Sequence, residues 1–347
     1  MRGFGFSEHG GLERLEFVDI PEPVPGPGEV RVAIRAAAFN RLDRFTLAGI
    51  PGVPVVRPHV LGSDGAGVVD QCGDGVEGFT VGQSVLLNPG MWDGTCEACR
   101  RGHESLCRAF RILGEHTQGT ATQFVVAPAR NVHLLPERLS FAQGAAAPLV
   151  FQTAWRAMKS IGAVAPGERV AVIGAGGGVP TAVVQVAKLL GARVVVASRS
   201  PRKAERARAI GADDFVAFDE QDHPLDRVLW QWSDKNGVDV IFDSVGSPTV
   251  PRSVRALARG GRVVVIGATA GPMAEIDLRT LFWRQASIRG STMADAKEFE
   301  EVLGHLAAGR LRPIVDSERP LSEAAQAFRR FDDPELFGKI VVTVPPA

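Results

Sequence analysis

Three of the four cysteines stand close together in one short segment: Cys96, Cys99 and Cys107. Thiolates with a Cys-x-x-Cys spacing and a third cysteine nearby suit a tetrahedral zinc ion, which needs four ligands. Asp93 precedes Cys96 by the interval at which Cys99 follows it, so we expect its carboxylate to be the fourth ligand. His103 is the alternative ligand and His116 a more distant one, and a metal-free loop with three thiols is the alternative to a metal site. The pattern therefore predicts one structural zinc ion per chain, held by Asp93, Cys96, Cys99 and Cys107.

A glycine-rich turn, Gly174–Gly178, separates two apolar segments, Val170–Ile173 and Val194–Ala197. After the turn, apolar residues recur at helical spacing until Gly191, and Pro180 suits a first helical position. Peptide N–H groups at the start of a helix carry partial positive charge, so this turn can hold a pyrophosphate. The spacing G-x-G-x-x-G is met only in part, and an ordinary strand-to-helix turn is the alternative. We predict that a dinucleotide contacts this turn through Gly176, Gly177, Gly178 and Val179.

The residues after the second apolar segment indicate which dinucleotide binds. An NAD site typically has an acidic residue at this point, whereas this chain has Ser198 and Arg199, followed by Lys203. A hydroxyl and a guanidinium suit the 2′-phosphate of NADP, because arginine pairs with phosphate through two parallel hydrogen bonds. Lys203 is equally compatible with a solvated basic start of a helix. Gly246 and Gly267 follow later predicted strands, and we expect them at the same sheet edge as contacts of the NADPH cofactor.

Predicted strands alternate with predicted helices from residue 166 to residue 290, which indicates an α/β fold with a doubly wound parallel sheet of the Rossmann class. The strands are expected at 170–173, 194–197, 214–217, 238–243 and 262–267, with an edge strand at 286–290. Outside this region, short glycine-punctuated strands at 13–19, 30–35, 60–70, 84–87 and 119–127 predict a small barrel-like β domain. A helix over 145–159 is expected to link the domains, and Lys339–Thr343 is expected to form the last strand.

Composition limits the range of functions. The chain has 347 residues, which suggests two domains, and its 39 basic residues balance its 39 acidic residues. The absence of a basic arm or an acidic tail argues against nucleic acid or a membrane surface as the main partner. The first residues lack a signal-peptide core, and no apolar run approaches the ~20 residues that span a bilayer. These features predict a cytoplasmic protein that acts on a small-molecule substrate.

Taken together, the chain resembles the medium-chain dehydrogenase/reductase superfamily, which includes zinc alcohol dehydrogenases and quinone oxidoreductases. The resemblance covers nearly the whole chain and is carried by the cysteine segment, the glycine turn, Leu61–Val69, Phe242–Gly246 and Phe337–Lys339. It implies a GroES-like β-barrel catalytic domain, residues 1–150 plus 291–347, around an inserted Rossmann domain, residues 151–290. It also implies a homodimer or homotetramer, with the predicted edge strand Ala286–Gly290 as the expected seam.

The chain departs from the family where zinc alcohol dehydrogenases hold a catalytic metal. Asn40 stands at the position of the first cysteine ligand, and Ser63-Asp64 stands in place of the His-Glu pair. The third ligand position falls near Leu149. An amide, a hydroxyl, one acid and an aliphatic side chain do not form a normal zinc site, so we expect no catalytic metal. Asn40 and Ser63 resemble the zinc-independent quinone oxidoreductases, whereas the cysteine segment resembles the alcohol dehydrogenases.

The resemblance therefore implies an NADPH-dependent oxidoreductase that transfers a hydride to a quinone, an enone or a related carbonyl. It places Thr153 near the nicotinamide, and Asn40 or Ser63 would donate a hydrogen bond to the oxyanion that develops. The candidates for proton delivery are Asp64, His59 and His116, each of which can equally have a purely structural role. Two alternatives stay open: a zinc alcohol dehydrogenase with atypical ligands, and a catalytically silent NADPH-binding sensor.

Overall fold

A computed structural model describes residues 1–219 and 221–346, whose strands and helices divide between two units. The first unit joins Met1–Val150 to the segment that begins at Asp295, and the second is Phe151–Ala294, just beyond the predicted boundary at 290. The strands are β1 (Arg2–Phe6), β2 (Glu16–Asp19), β3 (Glu29–Phe39), β4 (His59–Val60), β5 (Asp64–Cys72), β6 (Ser84–Leu87), β7 (Gly90–Met91), β8 (Arg111–Ile112), β9 (Phe124–Pro128), β10 (Val132–Leu134), β11 (Arg169–Ile173), β12 (Arg193–Ser198), β13 (Asp214–Ala217), β14 (Val238–Asp243), β15 (Leu257–Val265), β16 (Ser287–Gly290), β17 (Val315–Pro320) and β18 (Lys339–Thr343). The α-helices are α1 (Arg41–Ala48), α2 (Glu97–Arg100), α3 (Phe141–Ala146), α4 (Pro148–Trp155), α5 (Gly178–Leu189), α6 (Ala204–Ala209), α7 (Leu225–Trp232), α8 (Val250–Ala256), α9 (Leu278–Trp283), α10 (Ala296–Ala307) and α11 (Ala324–Arg329).

The second unit contains a six-stranded sheet in the order β13-β12-β11-β14-β15-β16. Every neighbouring pair is parallel. Numbered within the unit, the strands run 3-2-1-4-5-6, which is the order of the dinucleotide-binding Rossmann fold. The central strands β11, β12 and β14 are apolar runs that are buried on both faces, as helix-covered parallel strands must be. The predicted Rossmann class is confirmed.

The glycine turn leads into α5 earlier than predicted. The helix begins at Gly178, so Pro180 occupies its third position rather than its first. Proline is still tolerated there, because the first four N–H groups of a helix have no partner within the helix. Gly191 follows the end of the helix with φ +85°, a conformation that favours glycine, in agreement with the predicted stop.

The first unit is built on a seven-stranded sheet in which β10, β6, β5, β3, β18 and β17 are neighbours in that order, and β9 also pairs with β3. The last strand, β18, returns to lie antiparallel to β3, so the C-terminal segment completes this sheet. A three-stranded sheet, β2-β1-β4, packs with it around a core that includes Phe4, Phe39 and Phe328. The GroES-like β architecture is confirmed.

Three predicted elements of this region are interrupted. The strand expected over 60–70 is divided at Gly62, whose φ of +97° turns the chain and leaves Ser63 outside the ladder. Of the strand expected over 119–127, only Phe124–Pro128 pairs as β9. The helix expected over 145–159 is three pieces, because Pro148 cannot continue α3 and begins α4, and Arg156–Ile161 forms a π-helix. No helix in the described parts of the chain is long and apolar enough to cross a membrane.

Candidate functional site

The N-terminus of α5 directly follows the carboxyl end of β11 and has no side-chain cap. Its N-cap residue is Gly177, which has no side chain that could accept a hydrogen bond from the first helical N–H groups. Gly174 has φ +91°, and a Cβ atom at this position would have no atom within 4 Å. Uncapped N–H groups beside open space fit the pyrophosphate of a dinucleotide. The structure thus brings together the four residues predicted to contact the cofactor's phosphates: Gly176, Gly177, Gly178 and Val179.

The predicted nucleotide-selecting residues lie at the same edge of the parallel sheet. Ala197 is opposite Ile173 in the ladder, so Ser198 and Arg199 follow the strand end next to the glycine turn. Ser198 is buried and its Oγ accepts a hydrogen bond from the Ser200 amide at 3.2 Å, whereas Arg199 is exposed. An exposed guanidinium at this edge is suitably placed to contact a phosphate on the ribose.

The remaining cofactor candidates are distributed around this edge and along α4. Gly246 and Gly267 follow β14 and β15, whose ends are in register at Asp243 and Val265. Lys203 ends a short 3₁₀-helix that begins at Pro201. Thr153 lies in α4, is 5 % exposed, and its Oγ1 is 3.9 Å from the sulfur of Met293.

A group of hydrogen-bonded polar side chains lies in the interior of the first unit. The ammonium of Lys339 donates to Asn40 Oδ1 at 2.5 Å and to Asp64 Oδ2 at 2.7 Å. Asn40 Nδ2 donates to Asp64 Oδ2 at 2.9 Å, and the Leu149 amide donates to Asp64 Oδ1 at 2.8 Å. The exposed fractions are 7 % for Asn40, 0 % for Asp64 and 3 % for Lys339. These three side chains, which we call the Asn–Asp–Lys centre, form a paired and almost completely buried group.

The sheet explains why these three residues meet. Ile340 of β18 is opposite Phe39 of β3, which brings Lys339 alongside Asn40. Asp64 begins β5, opposite Ala38 on the other side of β3. The last strand of the chain therefore delivers the only cation of the Asn–Asp–Lys centre.

Asp43 fixes the backbone on which two of the candidate residues are carried. Its carboxylate is fully buried and accepts hydrogen bonds from the amides of Asn40, at 2.6 Å, and Gly62, at 2.7 Å. Burial raises the pKa of Asp43 to about 6, although both amide hydrogen bonds act in the opposite direction. Asp43 thereby ties the start of α1 to the turn that precedes Ser63.

Ser63 has a hydroxyl group that no described residue satisfies. Its Oγ is buried and has no hydrogen-bond partner. An unpaired buried polar group costs about 1–3 kcal/mol, so the oxygen of a bound molecule would be a favourable partner for it.

The two candidate histidines contact backbone groups of β8 and of the loop that follows it. His59 Nε2 is 3.0 Å from the Gly114 carbonyl oxygen, and His116 Nδ1 accepts a hydrogen bond from the Ile112 amide at 3.1 Å. Burial lowers the pKa of both rings. Next to His116, Glu115 is only 7 % exposed, and burial, followed by the charge of Asp43, raises its pKa to about 7. Glu115 was not identified from the sequence.

A zinc ion does not fit the Asn–Asp–Lys centre. Both carboxylate oxygens of Asp64 accept hydrogen bonds, and one of them is paired with an ammonium group. Asn40 Oδ1 is also directed at Lys339. A metal would have to displace the buried ammonium and would gain only an amide, a hydroxyl and one carboxylate, without a thiolate or an imidazole.

The predicted structural-zinc residues come together in the first unit. One ligand atom from each of Asp93, Cys96, Cys99 and Cys107 lies within 4.8 Å of the others. Cys99 and Cys107 are buried, whereas Asp93 is exposed. His103, the alternative ligand, lies outside this group, and its Nδ1 is 3.9 Å from Asp295 Oδ2.

The chemistry of this group suits zinc. Asp93 Oδ1 accepts hydrogen bonds from the amides of Thr95 and Cys96, and these amides hold the pKa of Asp93 well below its usual range. The other oxygen of this carboxylate is then available to a metal. Burial raises the pKa of the Cys99 thiol to about 12. A cation would relieve the cost of ionising that thiol, so three thiols and one carboxylate form a set that zinc can occupy.

Lys339 was noticed in the sequence only as part of the segment Phe337–Lys339, without a role. Its role depends on the pairing of β18 with β3, two strands that lie about 300 positions apart in the chain. No local pattern predicts that pairing. Asp43 was missed because a carboxylate in the first turn of a helix is usually an ordinary capping residue, and the sequence does not show that it also accepts a hydrogen bond from the Gly62 amide.

Comparison with known proteins gives matches to both parts of the chain. Residues 26–137 match the family "Alcohol dehydrogenase GroES-like domain", and residues 178–308 match the family "Zinc-binding dehydrogenase". A solved structure of an NAD-dependent alcohol dehydrogenase is 41 % identical, with a TM-score of 0.94, covering 99 % of this chain and 100 % of that one.

Two curated relatives extend the range of reactions. An acryloyl-coenzyme A reductase of Metallosphaera sedula is 30 % identical, covering 96 % of this chain and 98 % of the relative. A quinone oxidoreductase of Mus musculus is also 30 % identical, covering 94 % of this chain and 92 % of the relative.

Proposed function

Because this chain belongs to the medium-chain dehydrogenase/reductase superfamily and is an oxidoreductase, we propose that it uses NADPH to reduce a quinone, an enone or a related carbonyl without a catalytic zinc ion. The observation that carries this proposal is the set of contacts around Asp64. Its carboxylate is shared by Lys339, Asn40 and a backbone amide, and this leaves no donor set suited to a metal. Acceptors that are already polarised need no Lewis acid. The relatives include a quinone oxidoreductase and an acryloyl-coenzyme A reductase.

When bound, NADPH supplies the hydride. The uncapped N-terminus of α5 would hold its pyrophosphate, and Ser198 and Arg199 would contact its 2′-phosphate. In the first unit, the Ser63 hydroxyl and the second N–H of the Asn40 amide would donate hydrogen bonds to the substrate oxygen on which negative charge develops. Asp64 would act as the anchor of Asn40 and Lys339, since both of its oxygens already accept hydrogen bonds.

We further propose that the cysteine group holds a structural zinc ion and that the chain assembles as a homodimer or homotetramer in the cytoplasm. For assembly, β16 is an edge strand of the parallel sheet. Ile288 in β16 and the apolar residues Phe282 and Trp283 in α9 are exposed. Their exposed fractions are 40 %, 65 % and 68 %, respectively. Exposed apolar residues grouped at a strand edge are suited to pairing with a second copy.

The second candidate function is an NAD-dependent alcohol dehydrogenase. It is favoured by the similarity to the solved alcohol dehydrogenase and by the cysteine group. It is disfavoured by the buried ammonium at the position where a catalytic metal would be needed, and by Arg199 in place of an acidic residue.

An acceptor panel separates these candidates. Consumption of NADPH and of NADH is measured with a quinone, an α,β-unsaturated ketone and a saturated aldehyde, and reduction of NADP⁺ and of NAD⁺ is measured with the corresponding alcohol. The proposal predicts turnover of the quinone and the enone with NADPH. Turnover restricted to the alcohol and aldehyde pair with NAD(H) would contradict it, and tight NADPH binding without turnover would indicate a sensor.

A further inference from the structure

Lys339 is a buried cation that the proposed reaction does not yet use. It is 3 % exposed, and its ammonium is balanced by Asp64 at 2.7 Å. Burying an ammonium is costly unless it is paired and hydrogen-bonded, and a well-packed apolar pair is often at least as stable. Stability therefore does not by itself explain a lysine in this position.

The contacts of Lys339 determine the orientation of the Asn40 amide. An ammonium can only donate, so the amide atom that faces it must be the oxygen. The Asp64 carboxylate accepts, so the atom that faces it must be the amide nitrogen. The two partners together exclude the flipped amide. One N–H of Asn40 is used by Asp64, and the second is held in a fixed direction.

Asn40 is fixed through its backbone as well. Its amide donates to Asp43 Oδ2 at 2.6 Å, and it immediately precedes α1. Removing Lys339 would therefore leave the backbone in place, take away one of the two side-chain contacts that orient the amide, and deprive its oxygen of the ammonium donor, so that only the contact with Asp64 would hold the side chain.

We propose that Lys339 is a positioning residue: its buried ammonium locks the Asn40 amide so that the free N–H is aimed at the substrate oxygen. This inference depends on the proposed function, because it needs a carbonyl or quinone oxygen that becomes negatively charged. The charge of Lys339 is balanced by Asp64, so the lysine acts by orienting Asn40 rather than by adding net positive charge to the centre. Loss of one fixed donor to such an oxygen lowers kcat by about 10²–10³-fold, and loss of its orientation alone is expected to cost about 10–100-fold.

The effect should depend on the acceptor. A weakly electrophilic enone needs the hydrogen bond in the transition state, whereas a strongly electrophilic quinone needs it far less. The informative quantity is therefore the ratio of kcat for the enone to kcat for the quinone, measured in one preparation. That ratio does not depend on the fraction of enzyme that is folded, so it remains valid if Lys339→Met folds poorly.

The experiment measures this ratio for the wild type, Lys339→Met, Asn40→Leu and the double variant. We expect the ratio to fall about 10–100-fold in Lys339→Met, with the KM for NADPH unchanged. We expect a similar or larger fall in Asn40→Leu and no additional fall when both substitutions are combined. Arg262→Met is the matched control, because Arg262 is a buried cation paired with Glu168 in the second unit. It should lower the active fraction and leave the ratio unchanged.

The possible failures are distinct. An unchanged ratio in Lys339→Met, whether kcat is retained or falls equally for both acceptors, would overturn the positioning role while the proposed function stands. Multiplicative falls in the double variant would also overturn it, because Lys339 would then act independently of Asn40. A wild-type protein that reduces neither acceptor would overturn the proposed function and this inference together.

Discussion

Glu115 should make the stability of the folded chain depend on pH. Its side chain is almost fully buried, its Oε2 is 3.5 Å from His116 Nδ1, and the charge of Asp43 opposes its ionisation. Burial and Asp43 together raise its pKa from 4.5 to about 7. An acid with a raised folded-state pKa stabilises the fold fully below its unfolded-state pKa, and this contribution is lost as the pH rises through the folded-state value.

The magnitude follows from the two pKa values. Between pH 5 and pH 8, the cost of ionising Glu115 in the folded state grows by ~2.5 kcal/mol, which is an upper limit because water and His116 can relax around the charge. Glu115→Gln removes this ionisation. Relative to the wild type, the variant should therefore gain about 1–2.5 kcal/mol of unfolding free energy between pH 5 and pH 8.

Urea unfolding followed by tryptophan fluorescence measures this difference at both pH values. The comparison cancels that part of the titration of Asp43 and His116 that does not depend on Glu115, because both residues are present in both proteins. The exposed Glu137, changed to Gln, is the matched control and should show the same stability difference from the wild type at both pH values. If Glu115→Gln behaves like this control, the reasoning about the buried carboxyl group is refuted.

Three further predictions follow from the proposed sites. Arg199→Asp should lower kcat/KM for NADPH by about 10–100-fold, because a charge-assisted contact to the 2′-phosphate is lost, and should leave NADH within about threefold; equal losses for both nucleotides would remove the case for that contact. Zinc added to chelator-treated protein should raise the melting temperature in the wild type and not in Cys99→Ser, since ligand binding at 100 times Kd stabilises by about 2.7 kcal/mol; a zinc-induced rise that persists in Cys99→Ser would place the metal elsewhere. Ile288→Lys should reduce the mass measured by light scattering to that of a monomer, whereas Leu134→Lys, at a residue that is 57 % exposed in the first unit, should not; an unchanged mass in both variants would exclude β16 as the seam.

The sequence predicted the parallel sheet well because its strands and helices are encoded locally. Val170–Ile173 and Val194–Ala197 are apolar runs with polar residues or a glycine at their ends, and both lie within observed strands. The start of α5 was predicted two residues late, because the sequence cannot show which glycine becomes the N-cap.

The interior of the first unit was harder to predict, because its contacts join distant segments. The approach of Lys339 to Asn40 depends on the return of the last strand to β3. The division of the strand near Ser63 depends on a single glycine with positive φ. The raised pKa of Glu115 comes from packing, which no pattern of residue types records.

The central claim is that this oxidoreductase transfers a hydride to polarised acceptors without a catalytic metal. The most direct test uses one preparation of Cys99→Ser that has been treated with a chelator and is soluble after treatment. Its metal content and its NADPH-dependent enone and quinone reductase activity are both measured. The account predicts less than about 0.1 zinc per chain, because the structural site is lost, and it predicts that turnover per folded chain is retained. Activity that disappears with the metal and returns when zinc is added back to this variant would contradict it.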